Sequence, residues 1–388
     1  MRVLIVSQYF LPQPLANAEV IGGLAGDLAR LGHDVTVISP VPDATPPAGV
    51  HHVRGWGWFA PDRASVVQRV IEYASFSAGA LVASVRTPRP DVVLVPSPPP
   101  TLGVVGLAIA RLRRAPLAYN VQDLYPEVAQ SVSATPGVVV SLLRRMLRLV
   151  YRRSAMVVVI DPAFEPAIAR AEPRATVRSI RNGIDLSLFE HAERDAALLR
   201  ELGVPSGPPV VMYAGNVGRS QDLGAVVRAA SAAGAQLVIH GAGARLDELQ
   251  HAVDGAPHVH FSGFRPRAEL GRVFGSADLH VIPLKPGVAW SSVPSKLLSI
   301  FAAGRPAVVA AEKGSPAAEL VAEASGGWVV EPGDDDALCR MTVEALRDPA
   351  ELAARGARAR EWARANAGTD RAAREWDRAL RELRGTGA

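Results

Sequence analysis

Short apolar runs alternate with longer amphipathic segments along most of the chain. In the first half, five apolar runs have the length and composition of buried β-strands: Val3–Ser7, Val35–Ser39, Val92–Pro96, Leu117–Asn120 and Met156–Ile160. The segments between them repeat apolar residues about every 3.6 positions, as amphipathic helices do. The predicted helices lie near Ala18–Leu31, Ala64–Val85, Leu102–Leu112 and Val138–Arg153. Strands and helices that alternate in this way predict an α/β fold on a parallel sheet.

The second half repeats this architecture. Its six predicted strands are Val210–Ala214, Leu237–His240, Val259–Phe261, Leu279–Ile282, Ala307–Ala310 and Trp328–Val330. Between the halves, Ala192–Pro209 carries mixed charge and ends in PSGPP, which is typical of a linker. We therefore predict two doubly wound, Rossmann-like domains over residues 1–190 and 205–365, facing a cleft. We expect a C-terminal helix, 366–388, to pack back on the first domain. Such domains bind ligands beyond the carboxyl ends of their strands.

The composition excludes several classes of protein. With 48% hydrophobic and 21% charged residues among 388, the chain is typical of a globular protein and not of a disordered one. Its one cysteine, Cys339, excludes a disulfide framework and a cysteine-based zinc cluster. The nine histidines show no H-E-x-x-H spacing. We therefore expect no bound metal and no resident cofactor.

Charge and hydropathy restrict the partners and the location. The 42 basic and 38 acidic residues nearly balance, so the net charge of +4 indicates no nucleic acid partner. The apolar start of the chain is too short for a signal peptide, and prolines interrupt the uncharged run Val92–Ala110. We therefore expect no transmembrane segment and a cytoplasmic location. Lys285, Lys296 and Lys313 are the only lysines, which makes each of them informative.

Two loops of the first half are candidates for binding. The first strand-to-helix turn lacks G-x-G-x-x-G, which argues against a dehydrogenase. Ala16 and Asn17 precede the predicted helix, where backbone N–H groups can face an anion or a sugar hydroxyl; equally, Asn17 can simply cap that helix. After the fourth strand come Gln122, Asp123 and Glu127. Asp123 can accept a hydroxyl proton or orient a sugar, or it can cap a turn before a proline.

The predicted helix Val138–Arg153 is apolar and rich in arginine. Its five arginines can form the solvated side of an ordinary domain helix. They can also hold an amphipathic helix on an anionic membrane. Peripheral contact with the inner face of a membrane is therefore possible, although the first interpretation is favoured.

The second half contains two candidate phosphate-binding segments. Gly215 and Gly218 permit close approach of a ligand to the backbone, and Arg219 can pair with a phosphate. The alternative is an ordinary glycine turn. Further on, Ser295 is the expected N-cap of a helix and Lys296 falls in its first turn. A cation is unfavourable there unless an anion binds, so the position predicts a diphosphate site. The alternative is that Lys296 extends into solvent.

Seven short segments occur in an order that resembles the family-4 retaining glycosyltransferases, which have the two-domain B-type (GT-B) fold. The segments are Phe10–Pro14 (FLPQP), Leu31–Ile38 (LGHDVTVI), Arg181–Asp185 (RNGID), Tyr213–Gly218 (YAGNVG), Val259–Phe264 (VHFSGF), Ala302–Pro306 (AAGRP) and Val330–Asp334 (VEPGD). The chain is most similar to the fucosamine transferases of O-antigen and capsule assembly, which carry similar D-L-Y/W-P-E and V-P-S-K segments.

The resemblance implies an enzyme that moves a sugar, with retention, from a nucleotide-diphosphate sugar to an acceptor hydroxyl. A UDP-sugar is the expected donor, and the acceptor is a glycan, a polyprenyl-linked intermediate or a natural product. The implied catalytic residues are Asp123, Lys296 and Arg219. The implied donor-binding residues are Gly215, Asn216, Phe264, Ser292, Val293, Pro294, Ser295 and Ser299. The implied acceptor-binding residues are Ala16, Asn17, Gln122 and Glu127.

The chain departs from the family pattern at three places. The common glycine pair of the first loop is replaced by Ala16-Asn17 or nearby residues, the histidine often found in the acceptor domain is Gln122, and a glutamate pair is absent. Many family-4 enzymes carry Glu-x7-Glu near the diphosphate helix, and the corresponding positions here are Ser291 and Ser299. Two alternatives remain, and the missing pair supports the first of them. One is a non-catalytic partner subunit that binds a nucleotide sugar. The other is a nucleotide-sugar 2-epimerase on the same fold.

Overall fold

The structure is a computed structural model that describes residues 1–13, 15–58, 66–126, 137–218, 220–263, 265–290 and 295–386. The chain forms two compact units. The first unit comprises the described residues up to Gly183 together with those from Thr369 onward, and the second is Ile184–Gly368. Each unit is a parallel sheet covered by helices.

Within its described residues, the first unit has a seven-stranded parallel sheet in the order β3-β2-β1-β4-β5-β6-β7. The strands are Arg2–Val6 (β1), Asp34–Ser39 (β2), Val50–Arg54 (β3), Val92–Pro96 (β4), Leu117–Val121 (β5), Met156–Val159 (β6) and Val177–Ser179 (β7). The helices are Ala16–Arg30 (α1), Val66–Val85 (α2), Leu102–Arg113 (α3), Gly137–Arg153 (α4) and Glu165–Ala171 (α5). The predicted strands are confirmed to within one or two residues at each end.

The edge strands β3 and β7 are not predicted by the sequence pattern. Both lie at the ends of the sheet, where a strand has a neighbour on one side only. Val50–Arg54 is buried at Val50 alone, and Val177–Ser179 is partly exposed throughout. Edge strands need no continuous apolar run, so a search for apolar runs misses them.

The second unit has a six-stranded parallel sheet among its described residues, in the order β10-β9-β8-β11-β12-β13. The strands are Val210–Ala214 (β8), Gln236–His240 (β9), Val259–Gly263 (β10), Leu279–Pro283 (β11), Ala307–Ala310 (β12) and Gly327–Val330 (β13). The helices are Ala196–Glu201 (α6), Leu223–Ala232 (α7), Leu246–Ala252 (α8), Leu270–Gly275 (α9), Ser295–Ala302 (α10), Pro316–Ala324 (α11), Asp335–Arg347 (α12) and Pro349–Asn366 (α13). All six predicted strands are confirmed.

The division between the units precedes the predicted linker. The stretch Ala192–Pro209 belongs to the second unit and contains α6, which Asp195 caps by accepting hydrogen bonds from the next turn. Leu198 and Leu199 of this helix are buried in the core of that unit. The mixed charge and the PSGPP ending of this stretch are also typical of a short surface helix followed by a loop. Composition alone therefore places the boundary between the units too late in the chain.

The last helix, Thr369–Thr386 (α14), belongs to the first unit. Trp376 and Leu380 are buried in its hydrophobic core. Asp377 Oδ1 lies 2.7 Å from Nε2 of His33, in the turn after α1. The chain therefore returns to the first unit after completing the second.

Candidate active site

The strand order of the second unit reverses between β8 and β11, and ligands of doubly wound sheets bind beyond the carboxyl ends of strands at such a point. The loops that follow these two strands are in contact. The N–H of Asp222 donates to the carbonyl of Pro283 at 2.9 Å, and the N–H of Lys285 donates to that of Ser220 at 3.1 Å. Two segments that the sequence marks separately as phosphate-binding candidates thus meet at one edge of the sheet.

Glycines allow the turns after β8 and β9 to pack backbone against backbone. At Gly241, where φ is +138°, a Cβ atom would lie 2.0 Å from the carbonyl oxygen of Gly215. At Gly243 it would lie 2.4 Å from the carbonyl oxygen of Val217. The turn His240-Gly-Ala-Gly243 therefore packs against the glycine turn at 215–218 and supports it.

Lys296 lies against this glycine turn. Its Nζ donates a hydrogen bond to the Tyr213 hydroxyl at 3.2 Å and lies 4.5 Å from the centre of the Tyr213 ring. The Tyr213 hydroxyl in turn donates to the carbonyl of Asn216 at 2.6 Å. A Cβ atom at Gly215 would lie 2.7 Å from Nζ. Tyr213, which sequence reasoning does not single out, therefore links the predicted lysine to the predicted turn.

Lys296 is a partly buried amine without a neighbouring carboxylate among the described residues, so an anionic ligand would stabilise its charged form. Burial lowers the pKa of its amine to about 8. None of the carboxylates in the described part of the chain forms an ion pair with it. Such an amine, held in the first turn of α10, can bind a phosphate group strongly.

The structure describes only some of the other donor-side candidates. Ser295 is exposed and is the first residue of α10, so the expectation that it occupies the N-cap position is wrong. Ser299 is partly exposed one turn after Lys296. The remaining candidates and the first position of the missing glutamate pair lie outside the described residues: Arg219, Phe264, Ser291, Ser292, Val293 and Pro294.

The acceptor-side candidates lie at the carboxyl end of β5 in the first unit. The side chains of Gln122 and Asn182 are hydrogen-bonded to each other, with Nδ2 of Asn182 donating to Oε1 of Gln122 at 2.6 Å. Burial raises the pKa of Tyr125, and the charges of Asp123 and Tyr73 raise it further. Glu127 lies outside the described residues.

Ala16 and Asn17 form the first turn of α1, because the helix begins at Ala16 and Leu15 occupies the N-cap position. The expectation that these residues precede the helix, with Asn17 as a possible cap, is therefore wrong. Leu15 has no side chain that can cap, and the structure shows no side-chain capping bond there. The apolar period of α1 starts at Ala18, so the pattern places the start of the helix two residues late.

Glu72 is a further candidate that the sequence analysis missed. It lies on α2 and is 2% exposed, and Nε2 of Gln8, in the loop after β1, lies 3.4 Å from its Oε1. Tyr73, the next residue, contributes to the raised pKa of Tyr125. The sequence could have indicated this residue, because Glu72 is a glutamate within the largely apolar helix Val66–Val85. A carboxylate buried with such a helix requires a polar partner.

The described part of the chain offers neither a metal centre nor a membrane span. It contains no group of three or more histidine, cysteine, aspartate or glutamate side chains placed to hold a metal ion. No helix among these residues is both long and apolar enough to cross a membrane.

Two doubly wound units, the second with a cation against a glycine turn at its switch point, are the architecture expected of a GT-B glycosyltransferase. Comparison with known families agrees. A family model described as Glycosyltransferase Family 4 matches residues 18–188, and one described as glycosyl transferases group 1 matches residues 208–348. The chain belongs to the family-4 glycosyltransferases and is an enzyme of the hexosyltransferase type.

Individual relatives are similar over most of their length. The putative colanic acid biosynthesis glycosyl transferase WcaI of Escherichia coli is 24% identical over 90% of this chain and 93% of its own. A GDP-mannose-dependent alpha-mannosyltransferase of Mycobacterium tuberculosis is 28% identical over 72% of this chain and 72% of its own. Among solved structures, Anabaena Alr3699/HepE in complex with UDP has a TM-score of 0.75 at 17% identity, covering 98% of this chain and 100% of that one.

Proposed function

We propose that this enzyme transfers a sugar, with retention of configuration, from a nucleotide-diphosphate sugar to an acceptor hydroxyl. The observation that carries the proposal is the position of Lys296, a partly buried amine without a counter-ion among the described residues, beside the glycine turn after β8. Family-4 membership, which implies a retaining reaction, supports it.

The proposed chemistry is electrostatic. As the bond to the donor sugar breaks, negative charge develops on the departing diphosphate. Lys296 and the N–H groups in the first turn of α10 stabilise that charge, and Arg219 is assigned the same role from the resemblance. The departing phosphate helps to remove the proton of the acceptor hydroxyl on the same face of the sugar. In this proposal no metal or resident cofactor takes part.

On the acceptor side, Asp123 and Gln122 are proposed to orient the acceptor, and Glu72 joins them as a supporting carboxylate. The hydrogen bonds between Gln122 and Asn182 support this assignment, because they hold the Gln122 amide rigidly at the carboxyl end of β5. The adjacent Asp123 is then held at the same edge.

We propose a UDP-sugar as the donor. The similar fold of a protein solved in complex with UDP supports uridine, while a relative named for GDP-mannose supports guanosine as the competing base. The relative named for colanic acid biosynthesis supports a role in the assembly of cell-envelope polysaccharides. A cytoplasmic location is part of the proposal, because nucleotide sugars are its co-substrates.

Contact with a membrane surface is proposed for α4. Val138, Leu142 and Leu149 are 82%, 68% and 45% exposed, and Arg152 and Arg153 lie on the same helix. The sequences of α2, α3 and α4 contain one acidic residue, Glu72, and it is buried. Apolar and basic groups without carboxylates suit the anionic inner face of a membrane.

The first experiment is calorimetric titration of the protein with UDP, GDP and dTDP. We expect saturable binding of UDP that is lost in Lys296→Ala and kept in Lys313→Ala, a matched control at an exposed lysine. With donor and acceptor present, Lys296→Ala should lower turnover by about two to three orders of magnitude. An unchanged turnover in a folded Lys296→Ala protein would remove the proposed role of this residue.

The serines at the positions of the family's glutamate pair favour a second candidate function, a non-catalytic partner subunit that binds a nucleotide sugar. Ser299, on the same helix as Lys296, cannot make a carboxylate contact to a ribose or sugar. Nucleotide binding without turnover over a broad set of acceptors would support that candidate. Conversion of a donor without any acceptor would instead indicate a 2-epimerase.

A further inference from the structure

A cavity of about 440 Å³ lies in the first unit between α4, α5 and the segment that follows β5. This volume is within the usual range of small-molecule pockets, about 300–1,000 Å³. Four arginines line it, which are Arg144, Arg145 and Arg148 of α4 and Arg170 of α5. None of them belongs to the residues that the family resemblance places in the donor or acceptor sites.

The four arginines of this cavity carry more positive charge than the neighbouring carboxylates neutralise. Nε of Arg148 lies 3.3 Å from Oε2 of Glu172, a carboxylate with 4% of its side chain exposed. Within the described ranges, Arg144, Arg145 and Arg170 form no ion pair. Three exposed arginines therefore line a concave surface without a counter-ion among the described residues. Guanidinium groups bind phosphates through paired hydrogen bonds.

Apart from Ser141, the other residues of the wall are apolar or aromatic. Leu124, Tyr125 and Pro126 form one side, and Ile168 and Tyr151 contribute others. Leu124 and Ile168 are buried at 6% and 1% exposure. The first side continues directly from Asp123, the residue assigned to the acceptor. A ligand in this cavity would therefore meet basic groups, a hydrocarbon-like wall and the acceptor segment together.

We propose that this cavity binds the phosphoryl group of an anionic amphiphile, which is the phosphate- or diphosphate-bearing part of the sugar acceptor. The guanidinium groups hold the phosphoryl oxygens, and the apolar wall receives the first carbons of the attached chain. The identification of the ligand as the sugar acceptor rests on the proposed function. The expectation that the cavity binds an amphiphilic phosphate rests on the cavity alone.

The test uses farnesyl diphosphate as a monomeric probe, titrated into the full-length protein and followed by calorimetry. We expect saturable binding, with inorganic diphosphate and farnesol each binding more weakly, because each offers half of the contacts. The double variant Arg144→Ala/Arg170→Ala removes one guanidinium from each helix and should weaken binding by about tenfold or more. The control, Arg152→Ala/Arg153→Ala, removes the same charge from α4 outside the cavity and should bind as the unaltered protein does.

Two outcomes of this titration would overturn the proposal. One is the absence of farnesyl diphosphate binding by the unaltered protein. The other is an equal loss in both double variants, which would show a general effect of charge. Circular dichroism and thermal melting establish that each variant is folded, and the single variants Arg144→Gln and Arg170→Gln repeat the test with smaller changes.

A second arm separates an acceptor from a lipid headgroup in a bilayer, since both carry the same phosphoryl chemistry. The protein is sedimented with vesicles of phosphatidylcholine, with and without phosphatidylglycerol. We expect Arg152→Ala/Arg153→Ala to weaken binding to the anionic vesicles more than Arg144→Ala/Arg170→Ala does. The reverse order would assign the cavity to membrane headgroups and overturn its assignment to the acceptor. Both arms are independent of nucleotide binding, so a failure of the donor titration is a separate result.

Discussion

Lys296 shows how one side chain can be prepared for a phosphate before the ligand arrives. Its stem and amine lie along Gly215 and the Tyr213 ring, and the Tyr213 hydroxyl accepts its hydrogen bond. Removal of the amine from water costs free energy, and the lowered pKa is the sign of that cost. A diphosphate would restore the charged form by supplying the missing counter-ion. A preorganised cation of this kind is what stabilisation of a leaving group requires.

The first prediction at this scale concerns pH. Burial lowers the pKa of Lys296 from 10.5 to about 8, so the free protein loses this charge as the pH rises through 8. If the bound diphosphate keeps the amine protonated, the affinity for UDP should fall about tenfold between pH 7 and pH 9. Calorimetry at these two pH values measures the change. Lys296→Arg stays charged and should show little change, whereas an equal affinity of the unaltered protein at both pH values would contradict the prediction.

At the scale of elements, the end of α10 is held by α13. Gly304 follows α10 with φ at +70°, and its carbonyl lies so close to α13 that a Cβ atom at Gly356 would be 2.3 Å from the oxygen. Nη2 of Arg305 donates to the carbonyl of Gly275 at 2.5 Å. The Ala302–Pro306 segment, noted in the sequence as a family marker, is thus the anchor of the helix that carries Lys296.

The prediction at this scale compares two helical glycines. In α1, a Cβ atom added at Gly23 would meet no other atom within 4 Å, so Gly23→Ala should raise the free energy of unfolding by about 0.5–1 kcal/mol through helix propensity. In α13, Gly356→Ala places a methyl group against the Gly304 carbonyl and should lower it by about 1–3 kcal/mol. Chemical denaturation measures both. Stabilisation by both substitutions would show that α13 does not pack on Gly304 as described.

At the scale of the whole molecule, buried or partly buried histidines occur in both units. Burial lowers the pKa of five of them: His33, His52, His240, His260 and His280. For His240 and His280 the pKa falls to about 4. His33 shows the same direction although Asp377 of α14 lies 2.7 Å away, because the cost of burial is larger than the gain from that partner. Acid therefore works against the folded state in both halves of the chain.

The last prediction follows from the sign of these shifts. Unfolded histidines take up protons near pH 6.5, while these five resist protonation in the folded protein, so the unfolded state binds more protons below that pH. The contribution of these histidines to the stability should be constant above about pH 7, and the stability should fall progressively between about pH 6.5 and pH 4.5. Thermal melting over this range measures it, with His51→Gln as a control at an exposed histidine that should keep the same dependence. A melting temperature that stays level across the whole range would contradict the prediction.

The pattern of apolar residues by itself determined the alternation of strands and helices in both units. Central parallel strands are buried on both faces, so each must be an apolar run, and β4, β8 and β12 have the bounds that the pattern predicts. The position of Lys296 in the first turn of α10 also marked it in the sequence. The N-terminus of a helix carries partial positive charge, so a lysine there is unfavourable unless an anion binds.

Only the tertiary structure decided which distant residues meet. Lys296 and Tyr213 are 83 positions apart, and Gln8 and Glu72 are 64 apart, so no local period relates them. The arginine cavity is formed by α4, α5 and the segment after β5. The boundary between the two units falls after Gly183, and Leu198 and Leu199 are buried in the core of the second unit. Local patterns arise from the geometry of one element, whereas these contacts arise from how elements pack, and packing depends on the whole chain at once.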